Sequence, residues 1–305
     1  MSNSFDSNTV LTETIACQPW ELVMPIEGTG KTSDTCAVEF EGQLYIFYTK
    51  EKGPDLFKLG YTVVVKNSDN KLIVKSTNEL PAQDAGHFRP AVTVYQNRLF
   101  CFYTATDKTL RFSVLMDNGW SPIDTVPNVL TADAPSVVAH ADKLYVALQG
   151  TVGGEFYHTV LDTYGWHPNV PAPHISFSDS PSLCIYDNKV HVAVRGLDGH
   201  SYIFCFIDNQ WHPVFTSQHT EVYESPALHA WNHLMVIASL KHPNNRYTTE
   251  LIPPLTSPPD YYDTAGTYLS PPCLTRYLDG FYLIGKRPCN DLAISVFNLD
   301  CAMQA

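Results

Sequence analysis

From residue 89 onward, short apolar runs alternate with turn residues, and the alternation itself repeats at long range. Four segments align at once: Arg89-Pro90-Ala91-Val92, Ala134-Pro135-Ser136-Val137, Ser180-Pro181-Ser182-Leu183 and Ser225-Pro226-Ala227-Leu228, followed by Ser270-Pro271-Pro272-Cys273. Their prolines lie 45, 46, 45 and 45 residues apart. Each proline leads into an alternating apolar run, then a turn (Gln96-Asn97, Ala141-Asp142, Asp187-Asn188, Leu278-Asp279-Gly280), then a second run such as Leu144 to Leu148 or Val190 to Val194. Period 2 on both sides of a short turn predicts hairpins. A third run ends in Asp117-Asn118-Gly119-Trp120, Asp162-Thr163-Tyr164-Gly165-Trp166 or Asp208-Asn209-Gln210-Trp211, and the Trp opens a fourth short strand. Four strands in about 45 residues is the pattern of a propeller blade.

A less regular unit precedes these, anchored at Thr35-Cys36-Ala37-Val38 with a second run at Leu44 to Tyr48. It is longer than the others, and the polar stretch Lys66 to Lys71 is the expected place for the extra residues. At the other end, the unit starting at Pro271 runs out at Ala305 without a fourth-strand Trp. Trp20 stands 16 residues before Cys36, much as Trp120, Trp166 and Trp211 stand 15 before the next anchor proline. Trp20 is therefore expected to complete the last blade, sealing the ring and removing an open sheet edge. The predicted fold is all-β, a six-bladed β-propeller of four-stranded antiparallel blades over residues 1–305. The blades fall near 34–83, 88–131, 133–177, 179–222, 224–267 and 269–300, with the closing strand at 17–25.

Composition agrees and narrows the partners. Hydrophobic residues make up 44%, charged residues 16% and aromatics 12%, with 22 prolines and 16 glycines. A formal net charge of -12 repels phosphate backbones and anionic lipid surfaces, so neither nucleic acid nor membrane is an expected partner. The polar, acidic stretch Met1 to Val10 has no basic or apolar region of a leader, and a cytoplasmic location is expected. Eight cysteines without a CxxC pair are read as buried free thiols.

In a propeller the start of strand one and the end of strand two share one face, so aligned positions there form rings. Two residues before each anchor stand Asp34, Phe88, Asp133, Asp179, Glu224 and Leu269. One step further back stand Ser33, His87, Ala132, Ser178, Tyr223 and Tyr268. At the end of strand two the expected equivalents are Thr49, Thr104, Gln149, Arg195, Ser239 and Lys286, all polar. The carboxylates can cap their own strands by accepting backbone N–H bonds. Arg195 and Lys286 instead point to an axial site in which cations face Asp179 and Glu224. A single small-molecule pocket would then use Arg195, Lys286, Asp179, Glu224 and His87 for chemistry. Asp133, Gln149, Thr104, Tyr223, Tyr268, Phe88 and Asp34 would line it.

Other features point less clearly. His229 and His233 bracket Trp231 at alternate positions but lack a third ligand at a defined spacing, and no metal is expected. Gly28-Thr29-Gly30-Lys31 lacks the second half of a phosphate loop. The segment Pro253 to Tyr262 is expected to be a rim loop.

The unit from Ser180-Pro181-Ser182-Leu183 through Val190-His191-Val192-Ala193-Val194-Arg195-Gly196 to Gln210-Trp211 resembles the repeats of bacterial and fungal lectin-like propellers. The Asp-Asn-Gly-Trp turn resembles a degenerate sialidase Asp-box. The lectin resemblance implies a carbohydrate site repeated around the ring, with an Arg and a carboxylate from one blade and an aromatic from the next. Only one blade offers Arg at the end of strand two, so this chain departs from that pattern. A sialidase would bring three arginines and a Tyr nucleophile together, for which Arg89, Arg195 and Arg287 are the available cations. The scaffold is also similar to small propeller proteins of fungal secondary metabolism that include hetero-Diels-Alderases. That resemblance implies a cofactor-independent enzyme that dehydrates a hydroxymethyl tropolone or phenol to a quinone methide and adds it to an alkene. Arg195 and Lys286 would hold an oxyanion and a carboxyl or His87 would protonate the departing hydroxyl. A scaffold for protein partners is the third expectation; the oligomeric state is left open.

Overall fold

In a computed structural model the described residues run from 19 to 298, apart from 28, 30, 31, 55, 83, 153, 218–221, 232, 242, 253–259, 265 and 290. They form six antiparallel sheets and no helix. Blade 1 comprises Thr32–Phe40, Gln43–Gly53, Leu56–Lys66 and Leu72–Glu79. Blade 2 comprises Ala91–Tyr95, Arg98–Thr104 and Thr109–Met116, with Gly119–Trp120 and Asp124–Leu130 both pairing to the third strand. Blade 3 repeats this with Ser136–His140, Lys143–Gln149, Glu155–Asp162, Gly165–Trp166 and Val170–Ser176. Blade 4 is Ser178–Tyr186, Lys189–Arg195, Ser201–Ile207 and Gln210–Thr216. Blade 5 is Ala227–Trp231, Leu234–Lys241, Arg246–Ile252 and Asp260–Asp263.

The sixth sheet joins the two ends of the chain. Cys273–Tyr277, Gly280–Lys286 and Leu292–Phe297 are completed by Trp20–Ile26, which pairs antiparallel with Leu292–Phe297 from Trp20↔Phe297 to Ile26↔Leu292. The first strands of neighbouring blades touch all the way round, 1 to 6 and back to 1, so the fold is a closed six-bladed β-propeller.

Local chemistry explains the repeat. The first hairpins of blades 2, 3 and 4 turn on Gln96-Asn97, Ala141-Asp142 and Asp187-Asn188, with φ positive at both residues of each pair. That is the mirror-image turn whose twist matches the flanking strands. The fourth-strand tryptophans knit each blade to the one before it. Trp120 meets Phe47 and Tyr61 of blade 1, Trp166 meets Phe102 and Phe112 of blade 2, and Trp211 meets Phe156 of blade 3. Trp20 does the same against blade 5, donating from Nε1 to Thr249 Oγ1 at 2.9 Å.

The extra length of blade 1 is not confined to Lys66–Lys71. Its second and third strands each run eleven residues, and their ladder continues past Thr49 through Lys50↔Lys58 and Glu51↔Phe57. The connection to blade 2 is also long, and Ala85 within it bridges to Phe57 and to Ala105.

Candidate functional site

Strand register places the ring residues. Cys36, Ala91, Ser136, Ser182, Ala227 and Cys273 are equivalent, because each pairs with the residue eleven positions later in its own hairpin. This corrects the proline-based alignment in two blades. In blade 1 Thr35 stands where the proline would be, and in blade 6 the aligned proline is Pro272. The rim ring is then Ser33, Phe88, Asp133, Asp179, Glu224 and Ser270, and the ring one step deeper is Asp34, Arg89, Ala134, Ser180, Ser225 and Pro271. Asp34 lies one level further in than the other carboxylates, beside Arg89. On the outer step Leu269 replaces Tyr268: Leu269 is about half exposed, whereas Tyr268 is buried against Tyr247 with ring centroids 4.0 Å apart.

At the end of strand two the equivalent in blade 5 is Leu240, not Ser239. Leu240 O accepts from Tyr223 N at 3.1 Å, as Gln149 O accepts from Ala132 N and Lys286 O from Leu269 N. A one-residue offset turns a side chain to the other face of the sheet. Ser239 is buried, 3.5 Å from Ser201 Oγ.

The other five members of this ring share one function. Each donates to a backbone carbonyl at the start of the next blade: Thr49 Oγ1 to Phe88 O at 2.6 Å, Thr104 Oγ1 to Asp133 O at 2.7 Å, Gln149 Nε2 to Phe177 O at 3.3 Å, Arg195 Nε to Val222 O at 2.7 Å, and Lys286 Nζ to Thr32 O at 2.8 Å. They are staples between blades, each satisfying a carbonyl at the entry to the neighbouring blade. Arg195 also donates from Nη1 to Ser178 Oγ at 2.7 Å and to Asp179 Oδ2 at 2.9 Å. Its expected role, gripping a ligand oxyanion, therefore competes with three protein acceptors, and Lys286 is committed in the same way.

What remains at the mouth is acidic. Asp133, Asp179 and Glu224 come from consecutive blades and are half-buried on one side of the axis. Asp133 Oδ1 accepts from Ala134 N at 2.6 Å and from Ser180 Oγ at 2.8 Å. Asp179 holds φ at +66°, a left-handed conformation that costs a non-glycine residue energy and turns its carboxylate toward Arg195. The Glu224 carboxyl takes no hydrogen bond among the described residues. Burial first, then Asp34 and Asp179, push its pKa up to about 7, with Arg195 pulling the other way. Burial likewise lifts Asp34 to about 6 against the opposing pull of Arg89. Tyr223, 61% exposed, and Leu269 form an apolar lip beside the acids. On the far side of the ring His87 is exposed, its ring centroid 3.9 Å from that of half-buried Phe88.

Arg89 is the residue the sequence reading passed over as a ring member. It is buried at the axis and reaches past blade 3, donating from Nη2 to Pro181 O of blade 4 at 3.1 Å. Beyond it, away from the acids, lies a channel of about 560 Å³ bounded by the first strands of all six blades. Cys36, Cys184, Cys273, Ser136 and His229 face it, and Glu39, Arg276 and Leu278 stand at its far end. The signal in the sequence was an arginine in the inward ring where the other blades carry small residues or a carboxylate. The histidines do not converge: Nδ1 of His229 lies 2.7 Å from Ala230 O, while exposed His233 accepts from Tyr186 Oη through its carbonyl. Gly28, Gly30 and Lys31, and most of Pro253 to Tyr262, lie outside the described residues.

With this geometry in view, the fold can be set beside known structures. A triple arginine-to-alanine variant of AofleA from Arthrobotrys oligospora superposes with a TM-score of 0.69 at 11% identity, covering 92% of this chain and 85% of that one. The lectin of Aleuria aurantia, solved with Fucα1-6GlcNAc, gives 0.62 at 12% identity, covering 87% and 91%. The fold is that of the fungal fucose-lectin and sialidase propellers. The sialidase of Trypanosoma rangeli, in complex with the inhibitor DANA, gives 0.64 at 8% identity over 90% of this chain but only 56% of its own length. At such identities the likeness is one of architecture. No protein-family model and no curated relative matches the sequence.

Proposed function

We propose that this propeller binds one small polyoxygenated molecule at the acidic mouth of its axis. The observation that carries this reading is the asymmetry of the rim: Asp133, Asp179 and Glu224 on three consecutive blades stand beside a lip of Tyr223 and Leu269, whereas the sequence has Ser33, Phe88 and Ser270 at the same position of the other blades. Carboxyl groups that accept hydroxyl hydrogens, beside an exposed aromatic face, are the elements that hold a sugar or similar polyol. Solved neighbours bind fucosides, which supports carbohydrate as the ligand class. The negative mouth favours a neutral sugar over a sialic acid. Calorimetric titration with α-methyl fucoside is expected to give one site per chain. Tyr223→Ala should weaken it about tenfold with an unchanged melting temperature, since an exposed ring adds little to the core. Several sites per chain, or binding indifferent to Tyr223, would remove the axial reading.

A second reading rests on Glu224. A carboxyl titrating near 7 can give a proton to a leaving hydroxyl at neutral pH. The C–O bond of a hydroxymethyl tropolone or phenol would break as the proton arrives, water would leave, and loss of the ring hydroxyl proton would yield the neutral quinone methide for hetero-Diels-Alder addition. That activity should fall above about pH 7 and be lost in Glu224→Gln. An unaltered rate in that variant excludes the role.

A further inference from the structure

The channel beyond Arg89 belongs to neither reading, and its lining defines a second ligand class. We propose that it is a separate site for a small carboxylate, entering from the rim opposite the acidic mouth and ending on the Arg89 guanidinium.

The lining is mixed: Val38, Val92, Val137, Leu183 and Leu274 stand among its walls, alternating with uncharged polar residues such as Thr93, Ser136, Ser182 and Thr275. Its titratable interior groups are uncharged at neutral pH. Burial pushes the Cys36 thiol far up and Cys273 to about 12, and it lowers the His229 pKa, leaving that imidazole neutral. Of the lining residues, formal charge is therefore left on Arg89 at the inner end and on Glu39 and Arg276 at the outer end. Glu39 Oε2 is held by Leu278 N at 2.7 Å. Arg89 has five N–H donors, and the hydrogen bond it makes among the described residues is the one to Pro181 O. A planar fork with donors to spare, at the inner end of a channel of about 560 Å³ whose other interior groups are uncharged, matches the two oxygens of a carboxylate in geometry and charge. A neutral apolar molecule would leave those donors unmet, and a hydrated phosphate would find no second cation there.

The groups behind Arg89 set a condition on binding. Asp34 of blade 1 faces it, and Asp34 in turn senses Asp133, Asp179 and Lys286. A bound anion raises the proton affinity of Asp34 and of Glu224 beyond it, so the carboxylate enters together with a proton and its affinity falls as pH rises.

The test uses the full chain with ¹⁵N-labelled arginine, titrated with benzoate and with benzyl alcohol. At pH 6 benzoate should shift the Arg89 Nε–H resonance and bind at least about tenfold more tightly than the alcohol. Its affinity should drop by up to about tenfold per pH unit above pH 6 when one proton is taken up. Arg89→Lys should lose most of the benzoate preference while α-methyl fucoside binding at the mouth stays as it was. If Arg89→Lys does not fold, the selectivity and the Arg89 shift in the native chain decide. Equal affinity for the two probes, an unmoved Arg89 resonance, or no binding of either overturns the proposal without touching the mouth reading. Fucoside binding that fails while benzoate binds removes the mouth reading alone.

Discussion

Two carboxyls, Glu224 at the mouth and Asp34 one level below it, keep their protons to unusually high pH, and this makes them measurable. Asp34 moves from 3.8 to about 6 and Glu224 from 4.5 to about 7. A raised carboxyl pKa means that the unfolded chain ionises first as pH rises. Below about 4 both states are protonated and nothing is lost; between about 4 and 7 stability falls with pH; above about 7 the cost is complete. Glu224→Gln, which cannot ionise, should therefore be more stable than the native chain at pH 8, on the order of 1 kcal/mol after solvent screening at the half-open mouth. The gain should vanish at pH 4. A gain independent of pH would mean that packing, not charge, limits the site. Arg195 makes the opposite forecast. Its three hydrogen bonds join Ser178 and Asp179 of blade 4 to Val222 O at the edge of blade 5, so Arg195→Ala should cost about 1–3 kcal/mol. It should also raise the Glu224 pKa further, readable by ¹³C-carboxyl NMR, because Arg195 is the cation that lowers it. A melting temperature equal to that of the native chain would return Arg195 to the list of ligand-binding groups. The sequence singled out Arg195 because it is alone in its ring, and the structure shows it filling the carbonyl-staple position that Thr49, Thr104, Gln149 and Lys286 also fill. Arg89 enters the sequence reading only as a cation for a sialidase-like site, for a related reason: aligned on prolines, Asp34 shares the level of Asp133, which hides the depth at which Asp34 and Arg89 meet.

At the scale of strands and hairpins, what could be read from the sequence follows from how strictly each feature is tied to backbone geometry. The two-residue turns and the period-2 runs are dictated by local chemistry, and they locate the first three strands of blades 2 to 4. The tryptophans serve even better once register replaces proline spacing: Trp20, Trp120, Trp166 and Trp211 each stand 16 residues before Cys36, Ser136, Ser182 and Ala227. Glycines after strand two mark another rule. Gly150 and Gly196 lie under the rings of Tyr157 and Tyr202, where an added Cβ would come within 2.6 and 2.5 Å of ring carbon. Blade 1 obeys neither rule. Leu72 takes the place of its tryptophan, packing among Tyr282, Ile284 and Ile294 of blade 6, and the turn at Gly53-Pro54 closes a hairpin whose ladder runs further than in the other blades. Long-range packing, not local preference, decides there, which is why the extra residues were assigned to the most polar stretch.

Across the whole molecule the ring is a chain of interfaces in which each blade buries its face against the next, so closure at one seam supports all six. Trp20–Ile26 is the only element that brings the N-terminal part of the described chain into blade 6. Trp20 is 2% exposed, packed on Phe281 and Phe297 with its indole N–H satisfied by Thr249. Asn298 N extends the seam by donating to Pro19 O at 2.7 Å. Deleting residues 1–25 would strip this strand, leave the edge of Leu292–Phe297 unpaired, and uncover apolar surface of blades 5 and 6 together. Loss of a buried tryptophan alone costs about 3–5 kcal/mol, and a typical fold has about 5–15 kcal/mol in total. The truncated chain should therefore lose its cooperative thermal transition or associate through the bared strand edge. A synthetic peptide spanning residues 17–27, added in excess, should restore the transition in a concentration-dependent way, because binding to the folded state alone stabilises it by mass action. If the truncated chain instead melts cooperatively at the native temperature and the peptide adds nothing, the ring is held by its other five interfaces and the seam contributes little.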